Sequence, residues 1–88
     1  MKVEFSLKFS KDLDEINQRK VKDNILQTIE ALEKAENLSQ IPNLKKLSGH
    51  TSAFRIRIGD FRLGFFFEDG IILLGRIAFR KDIYKIFP

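Results

Sequence analysis

The first nine residues alternate between polar and apolar side chains. Alternation with a period of two is typical of a strand that buries one face. The apolar positions share one side of such a strand: Val3, Phe5, Leu7 and Phe9. The pattern therefore predicts a β-strand over residues 2–9.

From Ser10 onward the apolar spacing becomes that of a helix. Ser10 suits an N-cap, and the acidic residues just after it favour a helix N-terminus. Asn17 indicates a break and a new cap. Beyond it, apolar residues recur every three or four positions: Val21, Ile25, Leu26, Ile29 and Leu32. Residues 11–36 are therefore predicted to form a short helix followed by a longer amphipathic one.

Turn-forming residues such as Pro42 and Gly49 predict a loop over residues 37–52. The period then returns to two, and the Gly-Asp and Asp-Gly pairs at 59–60 and 69–70 are hairpin signals. They divide the chain into three predicted strands, at residues 54–58, 61–67 and 71–79. Residues 80–88 are predicted to be irregular or a single helical turn.

These elements predict one α+β domain over residues 1–88. The β-α-α-β-β-β order favours an antiparallel sheet with two helices packed on one face. No repeat, linker or low-complexity segment divides the chain, and its length suits a single domain.

Composition narrows the chemistry that the domain can perform. The chain has no cysteine and one histidine, which excludes disulfides and thiolate metal sites and argues against zinc. We therefore expect no metal and no cofactor. No apolar run approaches the roughly 18–20 residues of a membrane span, and the N-terminal residues lack the apolar stretch of a secretion signal. We expect a cytoplasmic protein without a membrane partner.

The net charge of +4 is unevenly distributed. Residues 1–44 carry seven Lys/Arg and eight Asp/Glu, a balance of −1, whereas residues 45–88 carry nine and four, a balance of +5. A basic half favours a polyanionic partner, either nucleic acid or an acidic protein. The alternative is a basic surface that binds nothing.

Strand register brings several arginines together. With a two-residue first turn, Arg57 lies directly opposite Arg62, on the face away from the helices. Arg55 then lies opposite Gly64, whose missing side chain leaves room for something to approach the backbone. Opposed like charges destabilise a sheet, and a phosphate that takes bidentate hydrogen bonds would offset the repulsion. The alternative is that these arginines are ordinary solvent-facing residues.

Strand parity places Phe66 and Phe79 on the same face as the arginines. Exposed aromatic rings suit base stacking, and they equally suit an apolar strip covered by a partner protein. Parity places Arg76 on the helix-facing side, where it is predicted to be structural.

Tyr84 follows Arg80 by four residues, so the two side chains are neighbours if the tail is helical. Nearby positive charge favours the ionised form of a tyrosine, which would make Tyr84 a base. The alternative is an anchor that packs the tail. Lys45 and Lys46 are most simply loop lysines, in a position to contact a nucleic-acid backbone, and His50 is predicted to be a surface residue.

Three segments in the basic half resemble the RelE/ParE toxin superfamily: KKLSGH at 45–50, FRIRIGDFRL at 54–63 and GRIAFRKDIY at 75–84. With the strand and helices, the resemblance covers residues 3–86. It implies a RelE-like, microbial-ribonuclease-like toxin of a type II toxin–antitoxin system, neutralised by a cognate antitoxin. RelE-like members act on the ribosome and cut mRNA in its A site without a metal.

The resemblance also implies roles for individual residues. The ribose 2′-hydroxyl attacks the adjacent phosphate and leaves a 2′,3′-cyclic phosphate and a 5′-hydroxyl. Arg55 and Arg57 match a pair of basic residues, Arg62 matches the arginine on the phosphate, and Arg80 matches the one that assists the leaving group. Tyr84 matches the general base. RNA contacts are then expected from Lys45, Lys46, Phe66, Phe79 and Lys81.

Two departures leave other functions open. Phe79 stands where many relatives have a histidine, so no histidine acid or base is available there. Arg55 and Arg57 stand where a well-known relative has lysines, and arginine does not deprotonate. A ParE-like toxin that acts on DNA gyrase without cutting RNA would keep the fold but not need the arginine set. A third reading is a degenerate member that binds only its antitoxin or operator DNA.

Overall fold

The fold combines a five-stranded sheet with three α-helices. The computed structural model describes residues 1–88. The elements in chain order are β1 (Lys2–Phe5), α1 (Leu7–Glu15), α2 (Arg19–Lys34), β2 (Leu44–Lys46), β3 (Ala53–Ile58), β4 (Phe61–Glu68), β5 (Ile71–Phe79) and α3 (Ile83–Ile86). A single 3₁₀ turn at Leu38–Gln40 lies between α2 and β2. The predicted α+β class is confirmed.

The sheet is mixed, so the prediction of a purely antiparallel sheet was wrong. Its strand order is β1-β5-β4-β3-β2. β1 runs parallel to β5, and every other neighbouring pair is antiparallel. The α1–α2 segment carries the chain away from β1, so β1 joins the sheet beside its last strand. β2 was predicted as loop; it has only three residues, too few to show a period of two.

The register of the first hairpin is as predicted. Ile58 pairs with Phe61, and Arg57 lies opposite Arg62. Between β4 and β5 the register shifts, because Gly64 pairs with Arg76 while Phe65 pairs with Leu74. The residue left over in β5 is a bulge at Gly75, and it reverses the facing of every β5 residue that follows.

The predicted N-terminal strand ends early. β1 ends at Phe5, and the Ser6 side chain accepts a hydrogen bond from Phe9 N–H at 3.1 Å, which caps α1. The prediction of a strand to residue 9 and a cap at Ser10 was therefore wrong. Phe9 is fully buried on α1, whereas Leu7 is 80% exposed. The four-residue spacing of Phe5 and Phe9 fits a helix as well as a strand, and the serine cap decides for the helix.

The main core lies between the sheet and the helices α1 and α2. From α2 it takes Ile25, Ile29 and Leu32, which are buried as the helical spacing predicts. They pack with sheet residues that share one face: Ile56, Ile58, Leu63, Phe65, Ile72, Leu74 and Ile77. No helix is long and apolar enough to cross a membrane.

A smaller apolar cluster lies on the opposite face of the sheet. α3 packs there through Ile83, and Phe87 follows it. Both side chains are buried, together with Leu47 and Ala53. The face predicted to be open is therefore partly covered, and the arginine-bearing end of β3 and β4 is left uncovered.

Candidate anion-binding site

A concave pocket of about 340 Å³ opens on the uncovered end of this sheet face. Lysine and three arginines supply most of its walls. We call it the basic pocket, and its lining residues are Asn43, Lys45, Arg55, Arg57, Arg62 and Tyr84. It contains no carboxylate, so its formal charge is strongly positive and it suits an anion.

Strand pairing sets the positions of the four cations. Lys45 on β2 lies opposite Arg55 on β3, and Arg57 lies opposite Arg62 on β4. Directly opposed residues of antiparallel strands point to the same face. The predicted juxtaposition of the three arginines is thus present, and Lys45 extends it by one strand.

None of these four cations is paired with an acid. The two ion pairs in the structure join Lys2 to Glu4 and Arg76 to Asp12. The repulsion within the basic pocket is therefore uncompensated by the protein itself. A bound phosphate could accept bidentate, charge-assisted hydrogen bonds from these guanidinium groups.

Tyr84 closes one side of the pocket. Its ring lies under the Arg55 guanidinium, with Cζ 4.4 Å from the ring centroid, a cation–π contact. The side chain is 67% exposed, so the alternative that Tyr84 anchors the tail by packing is wrong. Burial of Ile83 and Phe87 serves that purpose instead.

Asn43 holds Arg57 at two points and was not among the predicted site residues. Arg57 N–H donates to the Asn43 carbonyl at 3.1 Å, and Arg57 Nη2 donates to Asn43 Oδ1 at 3.3 Å. Asn43 has φ of 62°, a left-handed conformation that asparagine tolerates better than most residues. The Pro42-Asn43 pair signals a turn in the sequence, but not the contact.

Arg62 is oriented by the hairpin turn beside it. Its Nη1 donates to the carbonyls of Gly59 and Phe61, each at 2.9 Å. These contacts use one end of a planar group with five donors. The remaining donors are available to a ligand in the basic pocket.

Arg80, Lys46 and Lys81 lie outside the basic pocket, although all were predicted site residues. Arg80 is exposed, and its N–H donates to the Asp60 carbonyl at 2.7 Å. α3 begins only at Ile83, so Arg80 and Tyr84 do not share a helix. Lys46 pairs with Phe54, which directs it to the face opposite Lys45.

The two aromatic residues predicted to contact RNA, Phe66 and Phe79, lie on opposite faces of the sheet. Phe79 pairs with Phe61, and their rings meet edge to face at 5.7 Å. The Gly75 bulge thus puts Phe79 on the face of the main core, and the parity prediction for it was wrong. Phe66 does lie on the pocket face, but its ring contacts Phe87 at 5.0 Å.

The same bulge sets the strand partner of Arg76, which lies opposite Gly64 while its side chain reaches α1. Its structural role is nevertheless as predicted. Nε and Nη2 donate to the two carboxylate oxygens of Asp12 at 2.7 and 3.0 Å. These hydrogen bonds raise the pKa of Arg76 above its ordinary value, against the opposing effect of partial burial. The Arg76 guanidinium therefore holds α1 against β5.

A second hollow of about 270 Å³ continues from the basic pocket past the Tyr84 ring. It shares Lys45, Arg55 and Tyr84 with that pocket, and its other lining residues are Leu47, Ser48, His50, Phe87 and Pro88. His50 was predicted to be an ordinary surface residue, and no sequence signal links it to Tyr84. No group of three or more potential metal ligands occurs anywhere in the structure.

Fold and pocket together define a small α+β protein with a basic pocket on its sheet, and comparison with known proteins places it in a family. Residues 3–84 match the model of the family described as "ParE toxin of type II toxin-antitoxin system, parDE". The chain is 33% identical over 89 residues to Toxin RelE3 of Methanocaldococcus jannaschii, with 100% of both chains covered.

Solved structures agree with this assignment. A chain of the RelB-RelE antitoxin-toxin complex from Methanococcus jannaschii superposes with a TM-score of 0.82 at 29% identity, covering 97% of this chain and 99% of that one. The YoeB dimer from Staphylococcus aureus shares the fold, with a TM-score of 0.74 at 22% identity over 90% of this chain and 95% of that one. The chain belongs to the RelE/ParE superfamily and is a toxin of a type II toxin–antitoxin system.

Proposed function

We propose that this toxin is a metal-independent endoribonuclease that cuts mRNA in the ribosomal A site. The observation that carries the proposal is the basic pocket, in which three arginines and Lys45 converge without a carboxylate beside an exposed tyrosine. RNA is the polyanion that uses both features, because cleavage needs a cation at the phosphate and a proton acceptor at the ribose.

The arginines bind the scissile phosphate in this scheme. Arg57 and Arg62 face each other across β3 and β4, and each is already oriented by other hydrogen bonds. Charge on the phosphate increases as it becomes pentacoordinate, and cations fixed in advance stabilise that state without reorganising. Removing one such contact typically slows a reaction by about 10²–10³-fold.

Tyr84 is the proposed general base. The ribose 2′-hydroxyl gives its proton to the phenolate oxygen while its own oxygen forms a bond to phosphorus. The bond from phosphorus to the 5′-oxygen breaks, and that oxygen takes a proton from a solvent water to become a 5′-hydroxyl, while the proton on Tyr84 returns to solvent. Arg55 lies against the Tyr84 ring, so a positive charge stands beside the proposed base.

The leaving-group step is the least complete part of this site. The resemblance assigns it to Arg80, whose side chain lies outside the basic pocket, and Phe79 provides no ionisable group. The pocket is also shallow, with Tyr84 mostly exposed, so it does not exclude water or fix the RNA by itself. Both features support a substrate presented by the ribosome, which would supply the missing orientation.

A cognate antitoxin is the second proposed partner. The relative from Methanococcus jannaschii was solved as a RelB-RelE antitoxin-toxin complex. An acidic amphipathic segment would complement the unpaired cations of the basic pocket and the adjacent apolar residues. Such a segment would block the phosphate site by occupying it.

Primer extension on a translated mRNA tests the proposed function. Expression of the wild-type chain should produce cuts at fixed positions within codons, and only in messages that are being translated. The Arg57→Ala/Arg62→Ala pair should abolish them. Arg19→Ala removes an exposed arginine from α2 and should change nothing. Growth arrest without any cut in the message would refute the nuclease.

A ParE-like toxin that acts on DNA gyrase is the second candidate. Two observations favour it: the matching family model carries the ParE description, and Arg80 does not join the basic pocket. It predicts double-strand breaks or relaxed plasmid DNA in place of cut messages. It also predicts that Tyr84→Phe remains fully toxic.

A further inference from the structure

Two glycines form a notch in the sheet face that carries the basic pocket. Gly64 lies on β4, and Gly75 is the bulged residue of β5. The Phe87 ring fills the notch: a Cβ on Gly75 would lie 2.8 Å from the ring, and one on Gly64 would lie closer still. Neither glycine has a left-handed φ, so each is needed for space and not for backbone conformation.

Phe87 belongs to the smaller apolar cluster, and we call its ring the plug because it fills the notch. Only 5% of its surface is exposed, and it packs with Leu47, Ala53 and Ile83. Its N–H donates to the Ile83 carbonyl at 2.9 Å, which closes the last turn of α3. The ring therefore joins α3 to the middle of the sheet.

α3 has no independent means of holding its place. It contains four residues, whereas an isolated helix needs roughly 12–15 residues to be even marginally stable in water. Tyr84 contributes little burial, being mostly exposed. Its position against Arg55 consequently depends on the burial of Ile83 before it and Phe87 after it.

We infer that Phe87 and its two-glycine notch are a positioning device that sets Tyr84 against Arg55 in the basic pocket. Phe87 lines the second hollow but not the basic pocket, and in this inference it acts on the reaction only through Tyr84. The inference deepens the proposed function, and its consequence for cleavage rests on that function. The arginines stand on β3 and β4, so loss of the plug leaves them in place and displaces the tyrosine alone.

The chain contains a built-in reporter for this device. It has one tyrosine and no tryptophan, so its tyrosine fluorescence comes from Tyr84 alone. In the folded full-length toxin, iodide should quench this emission far better than caesium, because the surrounding cations attract the anion and repel the cation. The ratio of the two quenching constants therefore measures whether Tyr84 lies in the basic pocket.

Phe87→Ala removes the ring, and Gly64→Ala fills the notch that the ring occupies. Each variant should lower the iodide-to-caesium ratio of quenching constants towards that of N-acetyltyrosinamide. Each should also slow single-turnover cleavage on programmed ribosomes by about 10²-fold, the effect of misplacing a reacting group by an ångström. Affinity for the ribosome should not change. Phe87→Leu in the Gly64→Ala background should restore both readouts, because the smaller side chain accommodates the added methyl group.

Leu73→Ala is the matched control. Leu73 is an exposed apolar residue of the same sheet face, outside the Phe87 cluster, and its removal should change neither readout. If Phe87→Ala fails to unfold cooperatively by circular dichroism, Gly64→Ala and its Phe87→Leu rescue decide the question. Wild-type quenching ratios in Gly64→Ala and in any folded Phe87→Ala protein would overturn the inference.

A second background separates this inference from the proposed function. If Phe87 works through Tyr84, adding Phe87→Ala to Tyr84→Phe should cause no further loss of cleavage, since residues that act as a unit are non-additive. A further 10²-fold loss would show that Phe87 serves the fold in general. A wild-type chain that cuts no RNA but keeps the high quenching ratio would refute the nuclease and leave the positioning intact.

Discussion

Lys45 and Lys46 are adjacent and both exposed, yet β2 directs them to opposite faces of the sheet. Lys45 pairs with Arg55 and lines the basic pocket, whereas Lys46 pairs with Phe54. At the scale of single residues, alternation along a strand therefore decides which charge can reach the ligand. Arg80 is outside the pocket for a different reason, since it lies beyond the end of β5.

The lysine pair gives a matched test. Lys45→Ala should weaken binding of single-stranded RNA and lower the slope of log affinity against log salt by about 0.7, the value for one lost phosphate contact. Lys46→Ala should leave the slope unchanged. Fluorescence anisotropy with a labelled oligonucleotide at several salt concentrations measures both, and equal effects would mean that RNA does not enter the basic pocket.

Tyr84→Phe separates base chemistry from packing, because it removes only the hydroxyl. Single-turnover cleavage on programmed ribosomes should fall by about 10²–10⁴-fold, the usual contribution of general acid–base catalysis. Thermal unfolding should shift little, since the ring is mostly exposed. Wild-type cleavage in this variant would exclude the tyrosine as base.

At the scale of elements, the sequence predicts those features that neighbouring residues determine and misses those that depend on contacts between distant parts of the chain. A two-residue turn sets the β3–β4 register by itself, so Arg57 opposite Arg62 followed from the sequence. The facing of Phe79 did not, because the bulge at Gly75 absorbs one residue and depends on the ring that fills its notch. Asn43 was missed for a similar reason, since its contact with Arg57 bridges a loop and a strand.

The parallel pairing of β1 with β5 also depends on parts of the chain that are distant in sequence. Alternation over residues 2–9 gives no preference between parallel and antiparallel neighbours, and the Ser6 cap on α1 is one serine among many. What holds α1 in place is a contact far along the chain: Asp12 accepts hydrogen bonds from Arg76 and from Ile77 N–H, the latter at 3.1 Å. This carboxylate covers the edge that β5 exposes beyond β1.

Asp12→Ala should destabilise the protein by about 1–3 kcal/mol, the cost of leaving buried or half-buried polar groups without partners. Urea unfolding followed by circular dichroism measures it. Asp14 lies two residues further along α1 and is exposed, so Asp14→Ala should stay within about 0.5 kcal/mol of wild type. Equal losses in the two variants would show that charge at the helix, and not the Asp12 contact, matters.

At the scale of the whole molecule, the sheet separates two tasks. The helices on one face bury the main core, and the other face carries the basic pocket above a much smaller cluster. The near-neutral first half of the chain supplies α1 and α2, and the basic second half supplies most of the sheet. Stability and ligand binding are therefore expected to respond to different substitutions.

α2 offers the test of this division. Leu32→Ala removes a fully buried side chain and should cost about 2–5 kcal/mol, seen as a lower midpoint in urea. Leu26 lies on the same helix but is 47% exposed, and Leu26→Ala should cost far less. RNA affinity of the folded Leu32→Ala protein should equal that of wild type; a parallel loss would show that core and pocket are coupled.

The pairing of Lys2 with Ile71 has a consequence for the timing of synthesis. Contacts between distant parts of a chain must wait for the intervening loop to close, and they slow folding. Here the first strand has no neighbour until the fifth has been made, and Tyr84 follows later still. A nascent toxin on its own ribosome therefore has neither a complete sheet nor a complete pocket, and translation of its message can finish before the product becomes harmful.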